Sequence, residues 1–334
     1  MEETPFSTAM EALALLPAPK TMAVAVSGGA DSMALTLLAH RWAEPRGITL
    51  HALTVDHGLR EDSAEEAAQV AQWLGQQGIP HHTLTLNLQN ASENNLQAAA
   101  REGRYDAMAH WCKAHEVAHL LIAHHLEDQA ETFLIRLGRG SGVDGLSAMQ
   151  PATHRDGITL LRPLLSTSKA DLRDFLKAQN QSWIEDPSNQ NPAFTRIRMR
   201  ALLPLLEEAG ISAQTLANTA TRMQRARHCL EAKTEAAMAA CLHATEETLV
   251  LQRVPFSALH PEIGLRVLAE AIAHISGQHY RPRFAKLERL YHAIIQENSP
   301  VACTLSGCLF RSDSCGEVTI CLEHGNQPHP ASCG

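Results

Sequence analysis

Ser27-Gly28-Gly29-Ala30-Asp31-Ser32 brings two glycines, two hydroxyls and one acid together where a short apolar run, Met22 to Val26, gives way to a helical pattern. Gly28 and Gly29 permit main-chain angles that let a ligand approach backbone N–H groups closely. The unpaired N–H groups at the start of the following helix, with its dipole, favour an anion, and a phosphate is the natural guest. A lysine-ended phosphate loop would close with Gly-Lys-Ser/Thr; here the charged residue is Asp31. A carboxylate beside phosphates needs a cation between the like charges, and Mg²⁺ is the usual one. Ser27, Gly28, Gly29, Ala30, Asp31 and Ser32 are therefore candidate phosphate-binding residues, with Asp31 the candidate metal ligand. A glycine turn that binds nothing is the competing reading. The coincidence of strand, glycines, acid and helix argues against it.

A second set of candidates follows other strand ends. Ala118–Ala123 reads as a strand running into a helix that carries Asp128 and Glu131 on one face. Acids in a first turn are favoured by the helix dipole alone. Their place after a strand end, like that of the glycine turn, suggests one shared crevice and a pocket for a cationic group or a metal. His124 and His125 carry a weaker signal, and one of them is expected to be packed with its hydrogen bond satisfied. Asp56 and His57 close the strand Thr49–Val55, where open α/β sheets bind ligands. Gly140 lies in a glycine-rich basic loop, Gly138–Gly145, a candidate ATP or RNA contact. Arg101 and Arg104, three apart, share a helical face beside Tyr105 and are equally compatible with a solvated basic surface.

These residues need a frame of alternating strands and helices. Apolar runs at Met22–Val26, Thr49–Val55, Thr83–Leu86, Ala118–Ala123 and Thr159–Leu164 alternate with helical patterns, which predicts a doubly wound, mostly parallel α/β sheet. Thr83–Leu86 alternates in character and is expected near an edge. Ser168-Lys169-Ala170-Asp171 fits a capping-box start for a helix ending near Ala178. Composition then shifts: Thr195–Leu230 holds six arginines against two glutamates, and Ala/Leu/Glu-rich helices follow. The expected division is a nucleotide-binding domain over 1–190, a mainly helical domain over 191–300, and a short strand-like tail over 301–334. The 334 residues, 45% hydrophobic, suffice for about two cores. A formal charge of −8 leaves nucleic-acid binding to local arginine clusters such as Arg222, Arg225 and Arg227. No secretory signal and no membrane-spanning run is read, and none of the eight cysteines forms a C-x-x-C pair. A cytoplasmic chain with reduced thiols, packed as small hydrophobes, is expected.

Several stretches recur together, in order, in one family. They are Ser27–Ser32, Val55-Asp56-His57-Gly58-Leu59-Arg60, Arg101-Glu102-Gly103-Arg104-Tyr105, His124–Thr132, Arg139-Gly140-Ser141-Gly142 with Gly145-Leu146, Arg162-Pro163-Leu164 and Asp186-Pro187-Ser188-Asn189. The first resembles the PP-loop of the ATP pyrophosphatases, and the ordered set resembles the tRNA(Ile)-lysidine synthetases over about residues 20–200. The resemblance implies a sheet whose first and fourth strands are neighbours. It implies ATP and Mg²⁺ as cofactors, and tRNA(Ile) with a CAU anticodon and free L-lysine as partners. The implied reaction adenylates C2 of the wobble cytidine through its oxygen, after which the lysine amine displaces AMP. It assigns catalysis to Asp31, Asp128, Glu131 and Arg196, and nucleotide contacts to the phosphate turn, Asp56, His57 and Gly140. The family usually has asparagine after that arginine, where this chain has Ile197. The region after Arg200 is shorter than in longer members, and a homodimer stays open. Two alternatives are weighed: another PP-loop tRNA-modifying enzyme, and a non-catalytic tRNA-binding protein on the same fold. Iron–sulfur thiolases use paired C-x-x-C motifs and glutamine-dependent relatives need an ammonia source, neither of which the sequence carries.

Overall fold

The computed structural model describes residues 5–56, 58, 63–86, 96–185, 195–245, 248–277, 282–296, 300–312 and 316–323. His57, Leu59, Arg60 and the Asp186–Asn189 stretch lie outside the described residues. By its internal contacts the chain divides into two compact units, Met1–Gln224 and Arg225–Gly334.

The first unit runs α1 (Pro5–Ala12), β1 (Thr21–Ala25), α2 (Ala30–Ala43), β2 (Thr49–Asp56), α3 (Ser63–Gln76), β3 (His81–Thr85), α4 (Leu96–Ala114), β4 (His119–Leu121), α5 (Leu126–Leu137), α6 (Val143–Leu146), β5 (Ala152–Arg155), β6 (Ile158–Leu161), α7 (Lys169–Ala178) and α8 (Thr195–Glu208), and enters α9 (Ala213–Cys241). The six strands lie in the order β3-β2-β1-β4-β6-β5, parallel except for the β5–β6 pair. β1 is central because Met22, Ala23 and Val24 are buried on both faces of the sheet. Its first connection leads to β2 on one side, while β4 flanks it on the other, so a topological switch point opens between β1 and β4. β3 is an edge strand, as its alternation suggests. The expected strand at Thr159–Leu164 is present as β6, which pairs parallel with β4 and is also the second arm of a hairpin, β5–β6. The arm Ala152–Arg155 has a polar sequence because it closes the sheet edge.

One core lies on the α2 side of the sheet, where Met33, Leu35 and Leu37 pack with Val24, Leu50, Val70 and Leu74, and with Leu172 and Leu176 of α7. The other side is covered by α4 through Tyr105, Met108, Trp111 and Cys112. A smaller cluster joins Ala130 and Phe133 of α5 to Leu216 and Ala220 of α9. That cluster places the division at Gln224, later than the composition shift near residue 190, because apolar residues of the first turns of α9 complete the α5 surface.

The second unit contains the rest of α9, then β7 (Leu242–Ala244), β8 (Leu249–Leu251), α10 (Arg253–Ser257), α11 (Pro261–Ser276), α12 (Phe284–Ile295), β9 (Ala302–Leu305), β10 (Cys308–Ser312) and β11 (Val318–Leu322). Its strands form an antiparallel sheet in the order β7-β8-β11-β10-β9. The expected tail of strands is thus not separate: Phe310, Val318 and Ile320 share one core with Leu251, Phe256, Val267, Leu268 and Tyr291. The described cysteines are free, and Cys112, Cys241 and Cys308 are buried. Burial pushes the Cys112 thiol up to about 12, as expected of a packing residue.

Candidate active site

A cleft of about 560 Å³ opens at the switch point. Its floor is the phosphate turn. Gly28 adopts φ +82°, and its carbonyl accepts a 2.9 Å hydrogen bond from the Ile184 N–H. A Cβ at Gly28 would stand 2.7 Å from Ile184 Cδ1 and 2.9 Å from Val70 Cγ2. Glycine is therefore required by both angle and space. Gly29 is the N-cap of α2, and Ser32 Oγ folds back to donate to the Gly29 carbonyl at 2.9 Å. The Ser27 N–H and hydroxyl both stand 3.2 Å from Ser32 Oγ. Short polar side chains thus hold the turn in shape and leave the cleft open above it. Ser27, Gly29, Ala30, Asp31, Ser32, Asp56 and Arg196 all line the cleft, as do Arg101, Arg104 and Tyr105 of α4.

Asp31 sits in the first turn of α2. Its Oδ2 faces two cations, His125 Nε2 at 3.5 Å and Lys169 Nζ at 3.9 Å. Its Oδ1 is buried without a hydrogen-bond partner among the described residues. Burial alone would raise its pKa, but His125, Lys169 and Arg173 together hold the carboxyl below its ordinary value. Asp31 is therefore ionised with one oxygen unclaimed. Among the described residues no group of three or more His, Cys, Asp or Glu could hold a metal. The donor set suits a Mg²⁺ that takes one carboxylate and completes its shell with phosphates and water.

His125 is buried and gathers the acids around it. Its Nδ1 stands 2.8 Å from Glu127 Oε2, and its Nε2 is 3.5 Å from both Asp31 Oδ2 and Asp128 Oδ2. Burial disfavours its charge, but the bonds to Asp31 and Glu127 and the nearby Asp128 outweigh that and raise its pKa to about 10. An imidazolium thus ties the start of α5 to the start of α2. His124 goes the opposite way. Burial, with help from Arg162, Arg196 and Arg101, pushes its pKa down to about 4, and its Nδ1 accepts from Arg162 Nε at 3.2 Å. It lines the cleft as a neutral imidazole.

Asp128 and Glu131 share a face of α5 but do not line this cleft. Asp128 Oδ2 accepts from the His125 N–H at 3.1 Å and so caps its own helix. Glu131 is fully buried; its Oε1 accepts from Arg200 Nε at 2.8 Å, and its Oε2 has no hydrogen-bond partner among the described residues. Burial raises its pKa despite Arg200. Gly140 stands at φ +69° in the exposed turn after α5, away from the cleft lining. Asp56 reaches the cleft while its Oδ1 accepts from the Gly58 N–H at 2.9 Å and Ser63 Oγ at 2.7 Å.

Sequence reasoning missed Lys169 and Arg173 as cleft residues, and Arg200 as the partner of Glu131. Lys169 was legible only as part of a helix cap. Its place over the phosphate turn depends on α7 packing against α2, a contact between segments far apart in sequence.

A switch-point cleft floored by a glycine turn and an acid defines a PP-loop nucleotide-binding protein. The PP-loop domain family matches residues 3–206. A U34-tRNA thiolase from Methanococcus maripaludis shares the fold, with a TM-score of 0.54 at 16% identity, over 66% of this chain and 77% of that one. Among curated relatives, the tRNA(Ile)-lysidine synthase of Wolbachia pipientis is 40% identical over 87% of this chain and 68% of its own length. That of Ruegeria pomeroyi is 42% identical with the same coverage, and that of Hyphomonas neptunium is 37% identical over 98% of this chain and 88% of its own. The chain belongs to the tRNA(Ile)-lysidine synthase family.

Proposed function

We propose that the chain joins free L-lysine to C2 of the wobble cytidine in the CAU anticodon of tRNA(Ile), consuming ATP and releasing AMP and pyrophosphate. The observation that carries this reading is the orphaned, ionised Asp31 in a phosphate turn at the switch-point cleft of a lysidine synthase relative. In the first step the cytidine O2 attacks the α-phosphorus of ATP, and the electron pair of the broken bond leaves with pyrophosphate. N–H groups of the glycine turn and the start of α2 orient the phosphates and neutralise charge as it develops. A Mg²⁺ held by Asp31 would shield the phosphate oxygens from the carboxylate. Arg196, Arg101 and Arg104 also line the cleft and suit the nucleotide and tRNA phosphates. In the second step the lysine ε-amine attacks C2, and the C2–O bond breaks with AMP as leaving group.

For lysine we assign Asp128 and Glu131. Glu131 already binds one cation, the Arg200 guanidinium, and its buried second oxygen has no hydrogen-bond partner among the described residues, so lysine would reach it only once this face of α5 opens. His57 is a further proposed nucleotide contact, and Gly140, in the basic loop outside the cleft lining, is proposed to face the tRNA. The helical part of the chain beyond residue 190, with Arg222 and Arg225 exposed on α9, is the proposed tRNA-binding region. No helix among the described residues is long and apolar enough to cross a membrane; a cytoplasmic site of action is part of the proposal, because the proposed substrate is a tRNA.

The test is transfer of label from α-labelled ATP to tRNA(Ile) without lysine. Labelled tRNA whose label is released as AMP on adding lysine supports the reading. ATP hydrolysis indifferent to tRNA contradicts it.

A further inference from the structure

We propose that Arg155, which does not itself line the cleft, is a positioning residue: it braces α4 so that Arg101 and Tyr105 present a fixed cationic wall to a substrate phosphate. This rests on the reading above, in which that wall meets the nucleotide or the tRNA. Arg155 starts from a rigid point. It pairs with Ile158 across a two-residue turn, Asp156-Gly157, whose φ angles are +49° and +76°. Two left-handed residues make the tight hairpin turn that Asp-Gly favours. From there the Arg155 guanidinium spans to α4. It pairs with Glu102 and, at 3.0 Å, with Asp106, while its Nε donates to Asp156 Oδ2 at 3.0 Å. Its central carbon also lies over the Tyr105 ring, 4.9 Å from the centroid.

The spacing on α4 sorts its charges. Glu102 and Asp106 stand four apart in one row, and Arg101 and Tyr105 stand four apart in the next. The acidic row meets Arg155, whereas Arg101, Arg104 and Tyr105 line the cleft. Like charges at this spacing weaken a helix, and one guanidinium shared between them offsets that. The buried Tyr105 ring couples the two rows, because Arg101 also lies over it, at 5.7 Å. Arg101 has no ion-pair partner among the described residues, so this ring is what orients it. A lone exposed ion pair would contribute little. Three acids and an aromatic ring around one planar guanidinium fix a single geometry, which a lysine cannot reproduce.

The experiment reads tRNA-dependent label transfer from α-labelled ATP, varying tRNA(Ile) at saturating ATP and then ATP at saturating tRNA. The chains compared are wild type, Arg155→Ala, Arg155→Lys, Arg101→Ala, the double variant Arg101→Ala with Arg155→Ala, and Arg46→Ala. Arg46 pairs with Glu11 and lies over Trp42 outside the cleft lining, so it controls for the loss of one surface cation. Arg155→Ala is expected to raise the half-saturating concentration of tRNA, of ATP or of both by about threefold to tenfold, with the maximal rate within about twofold of wild type. The substrate whose curve moves is the one whose phosphate Arg101 meets. Arg155→Lys should recover only part of the loss, and Arg46→Ala should match wild type. Because Arg155 acts through Arg101, the double variant should fall within about twofold of Arg101→Ala alone. Additive losses overturn the role. So does a lower maximal rate at unchanged half-saturation, which marks a merely structural defect, and so does full rescue by lysine, which reduces Arg155 to its net charge. Thermal unfolding checks each variant, and Arg155→Gln replaces the alanine variant if that one fails to fold. If wild type transfers no label, the proposed function fails; equilibrium binding of ATP and of tRNA to the same variants then runs the same cycle and decides on Arg155 separately.

Discussion

Burial penalises the Glu131 carboxylate, and Arg200 satisfies only one of its two oxygens. Such a group costs stability rather than adding it, and that is expected where a site is kept for a ligand. Glu131→Gln keeps an acceptor for Arg200 and removes the buried charge; Arg200 is 40% exposed and can turn to water. Its unfolding free energy should stay within about 1 kcal/mol of wild type or exceed it. The lysine concentration needed for half-maximal rate should rise by about tenfold or more, while tRNA-dependent ATP consumption persists. Destabilisation with unchanged lysine dependence, read by steady-state kinetics and chemical denaturation, would make Glu131 a structural group. Asp31→Asn should instead lower AMP and pyrophosphate formation by about a hundredfold or more, with the fold intact by circular dichroism. Gly28→Ala combines a left-handed φ with two close side-chain contacts and should cost about 1–3 kcal/mol in denaturant midpoints, along with ATP affinity.

Among the elements, β2, β3 and α4 assemble an unusual histidine cluster. His51 Nδ1 stands 3.2 Å from His82 Nε2, and His82 and His51 both lie against Trp111, which stacks on His115 at 4.0 Å. Burial, and then mutual repulsion, lowers the pKa of His51 and His82; burial also lowers that of His81. A histidine whose folded pKa is depressed leaves the unfolded chain binding more protons. Its penalty is absent above the unfolded value, about 6.5, and grows as pH falls below it. Stability should therefore decline from pH 7 to pH 5, before the carboxylates titrate, and His82→Gln should flatten that decline. Urea midpoints across this range read the effect, and an unchanged slope in His82→Gln would show that the acid sensitivity arises elsewhere. The same elements show what sequence reveals. β1, its glycine turn and α2 were legible because an apolar run, Gly28 and Asp31 lie side by side. The switch point was legible through the resemblance that set β4 beside β1. The β5–β6 hairpin was not, since Ala152–Arg155 is polar, and neither were the three-residue strands β7 and β8, which are too short to show a pattern and join the sheet through β11, distant in sequence. Lys169 and Arg200 escaped for the same reason: the first needs α7 against α2, the second α8 against α5.

For the molecule as a whole, tRNA binding must come from local charge, since the chain carries a formal −8. Arg222 and Arg225 are exposed on α9, whereas Arg227 is paired with Glu231 at 2.6 Å. Replacing Arg222 and Arg225 by alanine should weaken tRNA binding and reduce its logarithmic salt slope by about 1–2, one counterion set per lost phosphate contact. An unchanged slope in filter-binding titrations would move the tRNA surface off α9. The central claim is the chemistry itself. The direct measurement is mass analysis of nucleosides from tRNA(Ile) incubated with the chain, ATP, Mg²⁺ and lysine. The account predicts a cytidine heavier by one lysine less one water, at the wobble position, formed only when ATP and lysine are both present. Unmodified cytidine under these conditions, or a modification that forms without lysine, would contradict it.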